Sequence, residues 1–254
     1  MGSSDVQGKF WGAAPRDWAE NEEMCLPFYE ALFEAAAVTA GTRLLDAGCG
    51  AGVALSVAIA RGATASGIDA SDGLLSVARE RVPAADLRHG DLEALPYPEG
   101  AFDVVTAFNS VGFAADPVAA LREAKRVTRP GGTVGLVVWG ESDRCQLGTC
   151  LAAIGRLLPP APADSAPPEV TAEDQMRAAG LEPDRAGEVD TPLIYPDLPT
   201  AVRIQTSSGP ARMAIEHAGE AAVREALAGA FATYRRQDGS YHLDNVFRFL
   251  AATV

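Results

Sequence analysis

The segment Leu44-Leu45-Asp46-Ala47-Gly48-Cys49-Gly50-Ala51-Gly52 constrains this chain more than any other stretch. It sets three glycines at alternate positions between a short apolar run and the helix-forming residues Val53–Ala60. Glycine is required where a chain turns sharply from strand into helix and where a ligand comes close to the backbone. The helix that follows presents unpaired N–H groups at its start, which favour an anion or a polar ligand in the turn. Strand, glycine turn and helix in that order open a parallel α/β unit, so the sequence beyond should keep alternating strands with helices.

It does so from Arg43 to Trp139. Short apolar or β-branched runs predict strands at Arg43–Ala47, 65–69, Asp86–His89, Phe102–Phe108 and 133–139. Between them, Ser71 or Asp72 is placed to cap a helix through Val82. Asp116-Pro117 opens another, with Val118, Leu121, Ala124 and Val127 facing inward and Pro130-Gly131-Gly132 ending it. Ahead of this core, Asp17 with Glu20 reads as a capping box, and Pro27 opens a run with Phe28, Leu32 and Ala36 on one face. After it comes a helix, then residues 158–170, rich in Pro, Ala and Ser, which read as a flexible surface loop. Thr171 caps a short helix closed by Gly180, and a strand is expected at about 186–193. Residues 198–236 form a helical patch in which Val223, Leu227, Ala230, Phe231 and Tyr234 recur at helical spacing, and 241–254 read as a last strand. The expected layout is a helical lid over residues 1–40 and one domain over 41–254 carrying a helical insert at about 198–240.

Composition narrows the partners. A net charge of −13, with Lys9 and Lys125 the only lysines, opposes phosphate backbones, so nucleic acid is not the expected partner. No run approaches the roughly 20 apolar residues of a membrane helix, and Met1 to Phe10 lacks the layout of a signal peptide, so a cytoplasmic protein without a membrane partner is expected. Cys25, Cys49, Cys145 and Cys150 are scattered with no Cys-x-x-Cys pair, and the sequence has three histidines, which leaves no metal or disulfide framework in view. The expected assembly is a monomer or homodimer.

The order Asp46-x-Gly48-x-Gly50-x-Gly52 resembles the first motif of class I S-adenosylmethionine-dependent methyltransferases. Dinucleotide enzymes carry G-x-G-x-x-G, and here Val53 stands where their last glycine belongs. The resemblance implies that Ala47, Gly48 and Gly50 contact the methionine end of S-adenosyl-L-methionine and that Asp46 helps to hold its ammonium. It further implies that Asp69, with Ala70 at the end of the second strand, meets the ribose hydroxyls, and that Asp91 with the Leu92 amide reads the adenine. Asp69 has a second reading as a helix N-cap. Asn109, after the fourth strand, would contact the amino end of the cofactor. It stands where the catechol type would need an acidic metal ligand, so no metal is expected. The stretch 121–132 resembles small-molecule members of the ubiquinone- and menaquinone-biosynthesis type.

The fold so implied is a doubly wound, mostly parallel Rossmann-like α/β sheet with an antiparallel last strand, N-terminal helices and a helical cover near the C-terminus. The function implied is methyl transfer to O, N or C of a small organic acceptor. The Arg-over-Lys, Ala-rich composition fits a GC-rich bacterial genome, in which natural-product tailoring is a common role for such enzymes. A cyclase or isomerase that binds the cofactor without transferring methyl would carry the same motifs. Candidates for the acceptor pocket are Trp11, Trp18, Phe113, Trp139, Arg212 and His217. His217 and His242 are weak candidates for a general base, and His89, within a strand, is read as structural.

Overall fold

The computed structural model describes residues 3–159 and 170–254. The chain opens with helices α1 (Ser3–Trp11), α2 (Pro15–Glu23) and α3 (Leu26–Ala35). The alternating core follows as β1 (Arg43–Ala47), α4 (Val53–Ala60), β2 (Thr64–Asp69), α5 (Asp72–Arg81), β3 (Asp86–His89), β4 (Phe102–Phe108), α6 (Pro117–Val127) and β5 (Thr128–Trp139). Next come α7 (Leu147–Gly155), α8 (Ala172–Ala178), β6 (Arg185–Asp190) and β7 (Leu193–Tyr195). The chain closes with α9 (Leu198–Gln205), α10 (Gly209–Ala218), α11 (Glu220–Phe231), β8 (Tyr241–Leu243) and β9 (Val246–Thr253).

Seven strands form one sheet in the order β3-β2-β1-β4-β5-β9-β6. The first five pair in parallel, and β9 runs antiparallel between β5 and β6. Consecutive residues of a strand face opposite sides of the sheet, and both sides are covered here. Leu44 and Val104 therefore join Leu32, Phe33 and Leu55 in one core, while Leu45 and Val105 join Leu121, Val127 and Leu250 in the other. This is why the strands read as continuous apolar runs rather than as alternating patterns.

The caps explain where helices start. Ser71 Oγ accepts the Leu74 amide at 3.1 Å, Asp116 Oδ1 the Ala119 amide at 3.0 Å and Thr171 Oγ1 the Asp174 amide at 3.2 Å, each satisfying an N–H that the first turn leaves unpaired. At the end of α8, Gly180 takes a φ of +76° and the Leu181 amide returns to the Met176 carbonyl.

Four expectations need correction. Asp17 is not a cap: α2 starts two residues earlier at Pro15, which suits a first turn, and Asp17 and Glu20 instead both pair with Arg203 of α9. Strand β5 begins at Thr128, because Thr128 pairs with Phe102 and a register shift before Thr133 absorbs Pro130-Gly131-Gly132. The strand expected at about 186–193 is two, since β6 pairs with β9 whereas β7 pairs with β8 in a separate ribbon. The last strand is likewise broken at Asn245, whose side chain accepts from the Leu147 amide and donates to the Leu243 carbonyl. Most of the loop expected at 158–170 lies outside the described residues.

Chain order reverses at β1, which lies between β2 and β4, and open α/β sheets hold their ligands at the carboxyl edge beside such a reversal. Over that edge, α1 packs against α10, and α2 against α5 and α9.

Candidate active site

The glycine loop leaves β1 at this edge. Gly48 and Gly50 adopt left-handed backbone, with φ of +84° and +53°. A side chain at 48 would strike Ser110, and one at 50 would strike the Glu22 carboxylate. The Gly48 and Cys49 amides both donate to the Ile68 carbonyl, at 2.8 and 3.0 Å, and Ser110 Oγ donates to the Ala47 carbonyl at 2.6 Å. Ala47 is thus buried behind the loop, while Gly48 and Gly50 face a cavity of about 280 Å³.

Four carboxylates line that cavity: Glu22, Asp46, Asp69 and Asp91. Asp46 is buried and accepts from Thr106 Oγ1 at 3.0 Å; burial pushes its carboxyl up to about 8 against that hydrogen bond. Asp69 accepts from the Gly50 amide at 2.9 Å and from the Ser71 amide at 2.8 Å, so it spans the glycine loop and the start of α5. The N-cap of α5 is Ser71 rather than Asp69. Burial also raises Asp69, opposed by these two amides. Asp91 accepts from the Glu93 amide at 2.9 Å, and Ala70 and Leu92 stand on the same wall. His89 keeps a structural place: its Nε2 lies 2.9 Å from the Ala70 carbonyl, joining the ends of β3 and β2.

Asn109 follows β4 with a φ of +53°, which side chains other than glycine seldom adopt. Its Oδ1 is buried on the cavity wall without a hydrogen-bond partner. A strained residue holding an unmatched acceptor beside four carboxylates fits a ligand that brings donors and positive charge. The glycine loop, with no room for a side chain at 48 or 50, brings backbone to the same ligand.

Beyond Asn109 the wall turns aromatic. Phe28, Tyr29 and Phe108 interlock at centroid distances of 4.7 to 5.9 Å, and Trp139 lies 4.7 Å from Phe247. Trp11, Trp18 and Phe113 form a second group at the rim, Trp11 being 4.5 Å from Trp18 and 5.2 Å from Phe113. All six of these expected cofactor-side and rim positions, Gly48, Asp69, Asn109, Trp11, Trp18 and Phe113, meet on one cavity, together with Trp139. Besides Ala47, which is buried behind the loop, three other candidates do not. Arg212 is on α10 with its Nε buried and unpartnered but off the cavity wall, His217 is exposed at the end of α10, and His242 lies on β8.

Sequence reasoning missed Glu22, Asn21 and Gln205, all of which line the cavity. Glu22 is buried, with both oxygens on the Ala51 amide, and Gln205 Nε2 donates to Asn21 Oδ1 at 2.9 Å and to the Tyr195 hydroxyl at 2.8 Å. The available signal was the stripe Trp18, Asn21, Glu22 and Cys25, at helical spacing and crossing α2 toward α3.

Residues 45–136 match the family model of a methyltransferase domain. The chain is 34% identical over 149 residues to a malonyl-[acyl-carrier protein] O-methyltransferase of Erwinia pyrifoliae, covering 59% of this chain and 57% of that protein. It is 38% identical over 171 residues to a ubiquinone biosynthesis O-methyltransferase of Ruegeria pomeroyi, covering 61% and 66%. The aligned regions span about half the length of the curated relatives it matches. The solved geranyl diphosphate C-methyltransferase of Streptomyces coelicolor A3(2) shares the fold, with a TM-score of 0.52 and 18% identity over 89% of this chain and 77% of that one. The glycine loop and the acids that follow it in order all lie within the matched segment, so residues 45–136 form the core of a methyltransferase domain of the class I S-adenosylmethionine-dependent type.

Proposed function

We propose that this protein transfers a methyl group from S-adenosylmethionine to a small organic acceptor. The observation that carries the reading is the single cavity, acidic at the glycine loop and aromatic beyond Asn109, with both ends supplied by this chain. Asp69 would take the ribose hydroxyls, Asp91 and Leu92 the adenine, and Asp46, Gly48 and Asn109 the amino end. When bound, the cofactor supplies a methyl group activated by a positively charged sulfur. The part left to the protein is to align the acceptor and exclude water, which needs no catalytic dyad. Residues 1–40 and the insert at 198–240 serve as the cover: Trp11 and Trp18 from one, and Gln205 and Ser208 from the other, stand on the cavity wall.

The names of the curated relatives support methyl transfer, and an acidic chain with an acidic cavity supports an acceptor other than nucleic acid. No described helix is long and apolar enough to cross a membrane, and all four cysteines are free, as is usual for a protein kept in a reducing compartment. The test is incubation with S-adenosylmethionine and pools of small acceptors, with mass analysis of the products. Release of S-adenosylhomocysteine with a methylated acceptor supports the proposal. A transformed acceptor with the cofactor intact would identify a cyclase or isomerase instead.

A further inference from the structure

We infer that the acceptor is electrically neutral and largely apolar, with a hydroxyl or carbonyl group read by the amides of Asn21 and Gln205. The inference rests on the cofactor assignment above and adds the chemical class of the second ligand.

The acceptor end of the cavity is walled by Phe28, Tyr29, Phe108, Trp139 and Phe247. The polar groups set into it beside these rings are uncharged: Asn21 and Gln205, linked to each other at 2.9 Å, and Ser208. Every charged side chain on the cavity is acidic, and no Lys, Arg or His lines it among the described residues. Segment 160–169, Pro-Ala-Pro-Ala-Asp-Ser-Ala-Pro-Pro-Glu, contains no basic residue that could supply one. Arg212 of α10 lies off the cavity wall, and two further nearby cations are held in ion pairs. Arg203 is tied to Asp17 and Glu20, and Arg81 to the Ala51 carbonyl and Glu23.

A carboxylate or phosphate entering here would lose water and find no cation on the cavity wall to replace it. An uncharged molecule pays only the loss of water from its one polar group, which the amide pair replaces. The apolar remainder is favoured by the aromatic wall.

The probes are 1-decanol, decanoate and decyl phosphate, titrated into the full chain saturated with S-adenosylhomocysteine. The readout is intrinsic fluorescence, because Trp11, Trp18 and Trp139, the three tryptophans of the chain, all line the cavity. Decanol is expected to bind at least about tenfold more tightly than either anion. Leu151→Arg, which puts a cation at a half-buried lining position of α7, is expected to narrow that gap to about threefold or less. Decanoate or decyl phosphate binding as tightly as decanol to the unaltered protein would overturn the inference, as would a gap that Leu151→Arg leaves unchanged. Failure of S-adenosylhomocysteine to bind at all would instead overturn the cofactor assignment.

Discussion

Both oxygens of the Glu22 carboxylate accept the single amide of Ala51, at 2.9 and 3.1 Å, so a side chain of α2 sits on the glycine loop at the start of α4. Burial pushes Glu22 up to about 8, opposed by the Ala51 amide and reinforced by the charge of Asp69. The folded, ligand-free protein therefore holds a proton on Glu22 that the unfolded chain releases above the ordinary value of 4.5. Its contribution to stability is greatest below about pH 4.5, falls as pH rises to about 8 and is level beyond. Glu22→Gln keeps an acceptor for Ala51 and removes the charge. It is expected to be more stable than the parent by on the order of 1–3 kcal/mol above that window and about equal below it. Denaturant unfolding on either side of the window checks this; a difference that does not change with pH would contradict it.

Asp69 holds two amides of the loop and faces the cavity, so Asp69→Ala should weaken cofactor affinity by about 1–3 kcal/mol in a folded protein. Isothermal titration with S-adenosylhomocysteine measures it, and circular dichroism shows whether the fold survives. Unchanged affinity would leave Asp69 only as a support of the loop.

Trp139 ends β5 on the acceptor side and packs on Phe247. Trp139→Ala removes about 1–2 kcal/mol of apolar contact, so KM for a neutral acceptor should rise by about tenfold while S-adenosylhomocysteine affinity stays within about twofold. His217→Ala, at an exposed site off the cavity, should change neither. Equal effects on both ligands of the Trp139 variant would place that residue at the cofactor end.

Arg203 joins the N-terminal helices to α9 through Asp17 and Glu20, and all three side chains are about a third to a half exposed. Arg203→Met should therefore cost about 1 kcal/mol or less of global stability. Its larger effect should be local, as faster hydrogen exchange at the amides of α2. Unaltered exchange there would mean that Trp11, Trp18 and Asn21 hold the cover without the ion pairs.

The core of the sheet could be read from sequence because its signals are local. Glycines 48, 50 and 52, the caps Ser71 and Asp116, and apolar runs such as 102–108 act within a few residues of where they stand. The failures all involve distant partners. Asp17 and Glu20 have capping-box spacing, but their partner is Arg203, more than 180 residues away. Strands β6 and β7 are separated by their different partners, β9 and β8. Gln205 and Glu22 carry no motif, and only the folding of two helical segments over one sheet edge brings them to the cavity. Arg212 and His217 share a helix with cavity-lining Pro210, yet Arg212, two residues on, is turned away by helical rotation, and His217, two turns along the same face, lies past the end of the wall.

Titration of S-adenosylmethionine, S-adenosylhomocysteine and NAD into the full chain tests the cofactor site most directly. S-adenosylmethionine and S-adenosylhomocysteine should each bind at one site per chain, with NAD giving no saturable heat, because Val53 stands where a dinucleotide loop needs its last glycine. Saturable NAD binding with no response to S-adenosylhomocysteine would contradict the assignment of Gly48, Asp69 and Asp91.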